Sequence, residues 1–433
     1  MQSAALRTAR CVPRANVVPK VTIPPASMTT PSTAAVRPIR YTPTRPFGRE
    51  IELSVVMPCL NEADTLATCI QKAKAAIARA RIDAEIIVAD NGSTDGSQAI
   101  AEQHGARVVP VPARGYGAAL MGGIAAARGR FVIMGDADDS YDWGEIPRFV
   151  EKLREGFELV QGCRLPSGGG TVSPGAMRVL HRWWGNPMFS AMARLWFRAP
   201  IHDIHCGMRG FTKDLYVRLE QRCAGMEFAS EMIIKATFRG ARIAEVPITL
   251  HPDGRLAHPP HLKTFRDGWR HLRFMLLYSP RWLFLIPGSL LILAGLVAYG
   301  LAMPSIPLGH VRLDVHTILV GSLAVLCGYQ AILFAIFAKI FAISEGLLPS
   351  DTRIAKLAQY VQLEHGVAGG AIAFLAGMIL IAVAFKEWSA VSFGALDYSH
   401  TMRLVIPGVT LAALGFQTIL SSFFMSVLAI KRS

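Results

Sequence analysis

The chain has no acidic residue before Glu50: residues 1–49 carry eight Lys or Arg and eight Pro, with neither Asp nor Glu. A segment so rich in proline and so one-sided in charge is read as a disordered basic tail. An organelle targeting peptide shares that composition and is the second reading, whereas no apolar core marks a secretory signal. No G-x-G-x-x-G follows the first apolar run and no G-x-x-x-x-G-K-[ST] occurs, which speaks against a dinucleotide dehydrogenase or a P-loop enzyme. The net charge of +14 comes without an aromatic–basic RNA motif or a helix-turn-helix pattern, so nucleic acid is not an expected partner. The seven cysteines, at positions 11, 59, 69, 163, 206, 223 and 327, lack metal-type spacing and read as unpaired thiols in a reducing compartment. His251, His258 and His261 lie among prolines without tight ligand spacing and are not read as a metal site.

What is present is a chain 52% hydrophobic and 18% charged, apolar for a soluble protein. Its organising stretch is Phe131-Val-Ile-Met-Gly-Asp136-Ala-Asp138-Asp139-Ser140-Tyr141-Asp142, an apolar run that ends in a knot of carboxylates. Clustered carboxylates at a strand end are costly unless a cation joins them. Hard oxygen ligands in acid-x-acid spacing, here Asp136 and Asp138, suit Mg²⁺ or Mn²⁺ with diphosphate oxygens in the remaining positions. The alternative is a solvated acidic turn.

A strand–helix rhythm surrounds this knot. Strands are expected at 53–57, 85–89, 107–111 and 131–134, with helices at 63–80, 98–104 and from Gly117 to Ala127. Such alternation implies an α/β domain with a parallel, doubly wound sheet, whose ligands bind beyond the carboxyl ends of the strands. The polar clusters Pro58-Cys-Leu60-Asn61-Glu62, Asp90-Asn-Gly-Ser-Thr-Asp-Gly96 and 136–142 all follow strands, so they are expected to converge on one crevice. Arg114-Gly-Tyr-Gly117 opens a helix and reads as a phosphate-approaching turn or as a plain turn.

Those three clusters, in that order, resemble the family-2 inverting glycosyltransferases of GT-A fold. Val160-Gln-Gly-Cys-Arg164 and Asp203-Ile-His-Cys-Gly-Met-Arg209-Gly-Phe211 look like the branch that glycosylates polyprenyl phosphates, which includes dolichyl-phosphate mannose synthase and bacterial undecaprenyl-phosphate glycosyltransferases. The resemblance covers roughly residues 52–280. Cys163 departs from the Ser or Asn common there, and Ser140 stands where some relatives have a Gln. The resemblance implies a nucleotide-sugar donor, with Pro58, Leu60, Asn61, Glu62, Asp90, Arg114, Gly117 and Asp136 at its pocket. It implies a divalent cation on Asp136 and Asp138, and Arg164 and Arg209 holding the acceptor phosphate and serving catalysis. Glu231 matches a family glutamate near the site, with a structural ion pair as the equal alternative. No Q-x-x-R-W occurs, which weighs against a processive polysaccharide synthase. A glycolipid synthase and a non-enzymatic membrane scaffold are the competing functions.

From Trp282 the character changes. Four apolar spans are expected near 282–302, 317–338, 367–385 and 404–430, none with a charged residue inside. The absence of mid-membrane charge speaks against a transporter. Lys263, Arg266, Arg270, Arg273, Arg281, Lys339, Arg353, Lys356, Lys431 and Arg432 flank one side, against Arg312, Lys386 and Arg403 on the other. That asymmetry places the catalytic domain and the C-terminus in the cytoplasm, with a cell inner membrane as the expected location. Two surface segments are expected to meet the bilayer. One is 263–276, with Phe265, Trp269, Leu272 and Leu276 on one helical face. The other is 181–198, with five aromatics and three arginines, for which a core helix is the alternative. The stretch around Ile354, Leu357 and Val361 is a second amphipathic helix or a polar loop. The expected organisation is therefore a tail (1–49), a catalytic domain (50–262), an interfacial helix (263–281) and an all-α membrane domain of four helices (282–433); a homo-oligomer is compatible with it.

Overall fold

The apolar runs alternate in the face they present, and that alternation builds the domain. In Leu53–Cys59 (β1), Val55 and Met57 enter one core cluster and Val56 the other. Ala84–Asp90 (β2) divides Ile86 and Val88 from Ile87 and Ala89 in the same way. A strand covered on both faces has no polar side to show, which is why these segments read as continuous hydrophobic runs. The protein is described here by a computed structural model covering residues 51–255, 264–304, 307–308, 311–345, 348 and 363–429. The basic segment 1–49, His258, His261, Lys263, the stretch with Ile354, Leu357 and Val361, and Lys431 and Arg432 lie outside the described residues.

Between and after those strands come Ala63–Arg79 (α1), Ser97–Gln103 (α2), Arg107–Pro110 (β3), Tyr116–Ala126 (α3), Phe131–Met134 (β4), Ile146–Arg154 (α4) and Leu159–Cys163 (β5). The chain continues through Thr171–Val172 (β6), Asn186–Met192 (α5), Arg209–Thr212 (β7), Lys213–Leu219 (α6), Phe228–Phe238 (α7), Ile243–Pro247 (β8) and Thr249–Leu250 (β9). Helices α1, α2 and α4 cover one face of the sheet through Leu66, Ile70, Ala101 and Phe149. Helices α3, α6 and α7 cover the other through Leu120, Leu215 and Met232. The order across the sheet is β3-β2-β1-β4-β7-β5-β8.

The expected parallel sheet needs one correction. β1 is parallel to β2 and β4, but β7 runs antiparallel to both β4 and β5. The chain leaves β5 at Cys163, makes a long excursion, and re-enters at the edge where β4 ends, pairing Arg209 with Met134. The loop 203–208 is thereby delivered beside the acidic knot. Its sequence reads as a motif, without the apolar period of a strand, so the reversal is not visible in it.

Thr264–Leu277 (α8) buries Asp267, His271, Phe274 and Met275 against the domain and leaves Phe265 and Trp269 exposed, at 85% and 59%. Ser230 Oγ and His271 Nδ1 lie 2.9 Å apart, which ties α8 to α7. The membrane domain follows. Its spans are Arg281–Ala302, Val315–Ser344, Leu363–Ala390 and Tyr398–Leu428. They are the helices Ile286–Ala302 (α9, entered through a widened turn from Arg281), Val315–Ser344 (α10), Leu363–Ala390 (α11) and Tyr398–Ala429 (α12). At 1.5 Å per residue the 30 residues of α10 reach about 45 Å, beyond the hydrocarbon core of about 30 Å, so the helices run on into polar flanks such as Lys339 and Lys386.

Helix pairing in lipid depends on close approach and interhelical hydrogen bonds, because hydrocarbon tails supply no hydrophobic drive. A Cβ on Gly295 would lie 2.6 Å from Gly321 O, so α9 and α10 meet backbone to backbone there. Tyr299 and Ser322 hydroxyls, 2.6 Å apart, hydrogen-bond across the same pair, and Tyr329 and Thr418 join α10 to α12 at 2.6 Å. Gly295→Ile is therefore expected to part α9 from α10 and to lower the melting temperature in detergent by several degrees, whereas Gly300→Ala, with nothing within 4 Å of its Cβ, should leave it unchanged. A Gly295→Ile protein that melts like the wild type would refute this packing.

Candidate functional site

β1, β2 and β4 are parallel, so their carboxyl ends share one edge, and the three polar clusters meet there as the spacing predicts. Asn61 takes a left-handed backbone, φ 60°, which short polar side chains tolerate. Its backbone N–H donates to Ser93 Oγ at 3.0 Å, and its Oδ1 accepts from Thr94 N at 2.8 Å. Ala63 N donates to Asp95 Oδ2 at 2.9 Å and Glu62 N to Ser97 Oγ at 3.0 Å. Thr65 Oγ1 donates to Ala137 O at 2.7 Å, tying α1 to the acidic knot. Asn91 bridges onward: its Oδ1 accepts from Gly115 N at 2.9 Å. Pro58 and Leu60 are half-buried at the lip.

Asp90 is buried and accepts from Gly92 N, Ser93 N and Gln98 Nε2, the last at 2.6 Å. Its first task is to fold its own loop, and Gln98 is a partner that no motif singles out. Glu62 and Asp138 share another such partner, Arg255. Arg255 Nη2 lies 2.6 Å from Glu62 Oε1 and its Nη1 3.0 Å from Asp138 Oδ2. Asp138 Oδ1 is held by Ser140, N at 3.1 Å and Oγ at 2.6 Å.

Asp136 Oδ1 accepts from the Tyr116 hydroxyl at 2.8 Å. Burial, and then the Asp138 charge, push the Asp136 carboxyl up to about 7, while the Tyr116 bond and the Arg255 and Arg164 charges pull the other way. The two carboxylates disfavour each other's charge, and the Arg255 guanidinium already stands on Asp138. The donor set is all oxygen, and a cation already stands on it, so the residues fit a hard divalent ion completed by ligands from a bound molecule. Among the described residues no cluster of three or more His, Cys, Asp or Glu that could hold a metal ion is present.

Gly117 and Arg114 divide. A Cβ on Gly117 would lie 2.4 Å from Cys223 O, and Gly115, at φ 135°, has Ala224 O in the equivalent place at 2.3 Å. The glycines thus answer a contact with the loop 223–225, and nothing about them requires a phosphate. Arg114 stands exposed beside them. Glu231 supports that loop: wholly buried, it accepts from Cys223 N at 2.8 Å and Arg222 N at 3.0 Å, and pairs with Lys235 at 2.7 Å. Of the two readings of Glu231, the structural one describes its contacts, although its loop in turn seats Tyr116 against Asp136.

The two arginines expected at the acceptor phosphate organise the loop 203–208. Arg164 forms a two-pronged pair with Asp203, Nε to Oδ2 at 2.7 Å and Nη2 to Oδ1 at 2.9 Å. Its Nη1 reaches the Tyr141 hydroxyl at 3.4 Å, which in turn accepts from Gly207 N at 2.8 Å. Removing one partner of such a buried pair costs roughly 3–5 kcal/mol. Arg209 is fully enclosed. Its bonds go to backbone carbonyls, Ala229 O at 2.7 Å, Cys206 O at 2.8 Å and Ile204 O at 3.3 Å. The expected contact of Arg209 with a lipid phosphate is therefore not available in this conformation. Nor does Arg209 pair with Asp203, whose carboxylate Arg164 holds.

Comparison with known proteins gives the same assignment by another route. The description of family 2 glycosyl transferases matches residues 54–219, and that of the family 2 C-terminal transmembrane region matches residues 336–429. The low-salt glycan biosynthesis hexosyltransferase Agl6 of Haloferax volcanii is 36% identical over 382 residues, 87% of this chain and 89% of that protein. The chain belongs to glycosyltransferase family 2. A dolichyl-phosphate hexose transferase of the same organism is 31% identical over 197 residues, 46% of this chain and 82% of its own length. Glucosyl-3-phosphoglycerate synthase from Mycobacterium tuberculosis, solved with Mn²⁺, UDP and phosphoglyceric acid, aligns over 52% of this chain and 77% of that one, with 25% identity and a TM-score of 0.42, too loose a match to carry an argument.

As a family 2 enzyme with that transmembrane region, the chain is an integral membrane glycosyltransferase of GT-A fold. Tyr116, Gln98, Tyr141 and Arg255 are partners to which sequence reasoning gave no role. Tyr116, between two glycines at a helix start, and Tyr141, within the acidic stretch, lay inside motifs; Gln98 and Arg255 carried no signal. Arg209→Ala is expected to strand several carbonyls and to cost about 2 kcal/mol or more, read as a lower melting temperature with donor and acceptor kinetics damaged alike. A variant with wild-type melting and only a raised KM for the acceptor would instead restore Arg209 to the phosphate.

Proposed function

We propose that the protein transfers one hexose, with inversion, from a nucleotide sugar of the UDP-glucose or GDP-mannose class to a polyprenyl phosphate at the bilayer surface. The observation that carries this is the placement of the acidic crevice within one domain of an exposed aromatic and basic surface. Trp183 and Trp184 are exposed at 66% and 72%. His181 Nε2 lies 3.0 Å from Thr264 Oγ1, so their segment runs beside α8 with its exposed Phe265 and Trp269. Arg182, Arg266, Arg270 and Arg273 accompany these rings. Rings with cations on one surface suit the headgroup layer. Segment 181–198 is in fact divided: Phe189 and Phe197 join the core, Trp196 stacks on Trp282 at 5.6 Å, and Trp183, Trp184, Met188 and Leu195 stay exposed.

In this reading Glu62, Asp90 and the backbone of 58–62 line the base and ribose pocket, and Asp136 and Asp138 hold the divalent ion, Mg²⁺ or Mn²⁺. That ion supplies Lewis-acid stabilisation of the charge on the departing diphosphate. Tyr116 fixes the orientation of the Asp136 carboxylate, and Ser140 that of Asp138. The acceptor phosphate is already ionised at neutral pH and needs positioning more than a base. All three nitrogens of Arg209 are spent on backbone carbonyls, whereas Arg164 Nη1 makes one long contact, to the Tyr141 hydroxyl at 3.4 Å, so Arg164 is assigned to the acceptor phosphate. Arg209 is assigned to positioning, through the loop it organises. The charge asymmetry of the spans supports a cytoplasmic side for this domain and the C-terminus, where nucleotide sugars are made.

The test is transfer by the purified protein, offered a panel of radiolabelled UDP- and GDP-sugars with undecaprenyl or dolichyl phosphate. Label is expected in the organic phase only when the lipid phosphate is added, as one sugar per lipid. Label in a long polymer, or on diacylglycerol with the lipid phosphates inert, would overturn the proposal.

A further inference from the structure

Arg255 is the last described residue before α8 and belongs to no motif, yet it occupies the centre of the crevice. Its guanidinium reaches Glu62 through Nη2 to Oε1 at 2.6 Å and Nε to Oε2 at 2.9 Å, and Asp138 through Nη1 to Oδ2 at 3.0 Å. The side chain is 11% exposed. Its backbone is held in place: Gly254 N donates to Asp138 O and His251 N to Ser140 O, both at 2.9 Å. This is a built contact of a fixed strap, not a surface arginine resting on the nearest acid. Burial works against its charge, but the Glu62 hydrogen bonds and the Asp138 and Asp136 charges outweigh that and hold the guanidinium firmly protonated.

The difficulty is that Asp138 Oδ2 is the oxygen a divalent cation needs, since Asp138 Oδ1 is spent on Ser140. A cation arriving alone must displace Arg255 and leave a largely enclosed guanidinium short of a partner. A cation arriving with a nucleoside diphosphate brings phosphate oxygens that the same fork can grip. We propose that Arg255 is the resting counter-ion of the donor crevice, exchanging Asp138 for the donor's diphosphate so that the divalent cation enters only together with the nucleotide. This rests on the donor site assigned above.

The experiment titrates full-length protein in detergent with Mn²⁺, reading free Mn²⁺ by electron paramagnetic resonance, with and without GDP or UDP. The wild type is expected to bind Mn²⁺ weakly alone and tightly with nucleotide. Arg255→Ala is expected to bind Mn²⁺ alone at least about tenfold more tightly than the wild type and to lose most of the coupling to nucleotide. Arg255→Lys, which keeps the charge but not a fork spanning both carboxylates, should fall between. Should Arg255→Ala fail to fold, Arg255→Gln removes the charge with less loss of volume and is expected to give the same gain. An affinity for Mn²⁺ alone that is unchanged or weaker once the charge is removed would overturn the exchange while leaving the donor site standing. If the wild type binds no Mn²⁺ even with GDP or UDP, the donor-site assignment itself falls, and the exchange with it.

Discussion

The domain is built around the convergence of negative charge at one sheet edge. Parallel pairing of β1 with β2 and β4 sends Glu62, Asp90, Asp136 and Asp138 to the same end. Each is buried or half-buried, and an unpaired buried carboxylate is costly. Each therefore has its own remedy: backbone amides and Gln98 for Asp90, Tyr116 for Asp136, Ser140 for Asp138, and Arg255 shared between Glu62 and Asp138. The exposed pair Lys72–Asp139 at 2.7 Å adds little by comparison, about 0–1 kcal/mol. Local structure, packing and chemistry meet in these partners, because the groups that make the carboxylates tolerable also aim them.

A second set of contacts connects that edge to the bilayer. Arg164 holds the loop 203–208 from the side of β5 through Asp203, and Arg209 holds it from beneath through carbonyls. The next contacts lead outward. His205 packs on His271 of α8, ring centroids 4.3 Å apart, and on Phe189 of α5 at 5.2 Å. Burial holds the His271 imidazole down at about 4 and His205 lower than usual as well, so both are neutral packing elements at physiological pH. α8 then presents its outer face with Phe265 and Trp269, and Trp196 stacks on Trp282 at the start of the first span. One continuous layer of packed side chains thus joins the loop 203–208 to the exposed face of α8.

Much of this was legible in the sequence. The strands were readable because double-sided burial leaves unbroken apolar runs, and the crevice because three polar clusters each followed one. The four spans were readable from length and the lack of charge. What was not legible depends on contacts far apart in sequence. The antiparallel β7 follows from a long excursion that no local period encodes. The burial of Arg209 depends on carbonyls of α7 and of its own loop, and a buried arginine looks the same in sequence as a phosphate-binding one. The turn at Gly117 was open between a phosphate approach and a plain turn, and the space its Cβ would fill belongs to Cys223 O. Arg255 lies 193 positions from Glu62, with no motif around it. In α8 the exposed aromatic face was readable, whereas the buried face, with Asp267 and His271 among its apolar residues, did not look like one.

The central claim is that the acidic edge is a metal-dependent nucleotide site. The most direct measurement is calorimetric titration of UDP and GDP into the purified protein, with Mg²⁺ or Mn²⁺ and in excess chelator, for the wild type and Asp138→Asn. The account predicts that one nucleotide binds the wild type only with the divalent ion, and that Asp138→Asn, folded by its melting curve, loses that dependence along with at least about tenfold in affinity. Equal nucleotide affinity in chelator and in metal, unaffected by Asp138→Asn, would contradict it.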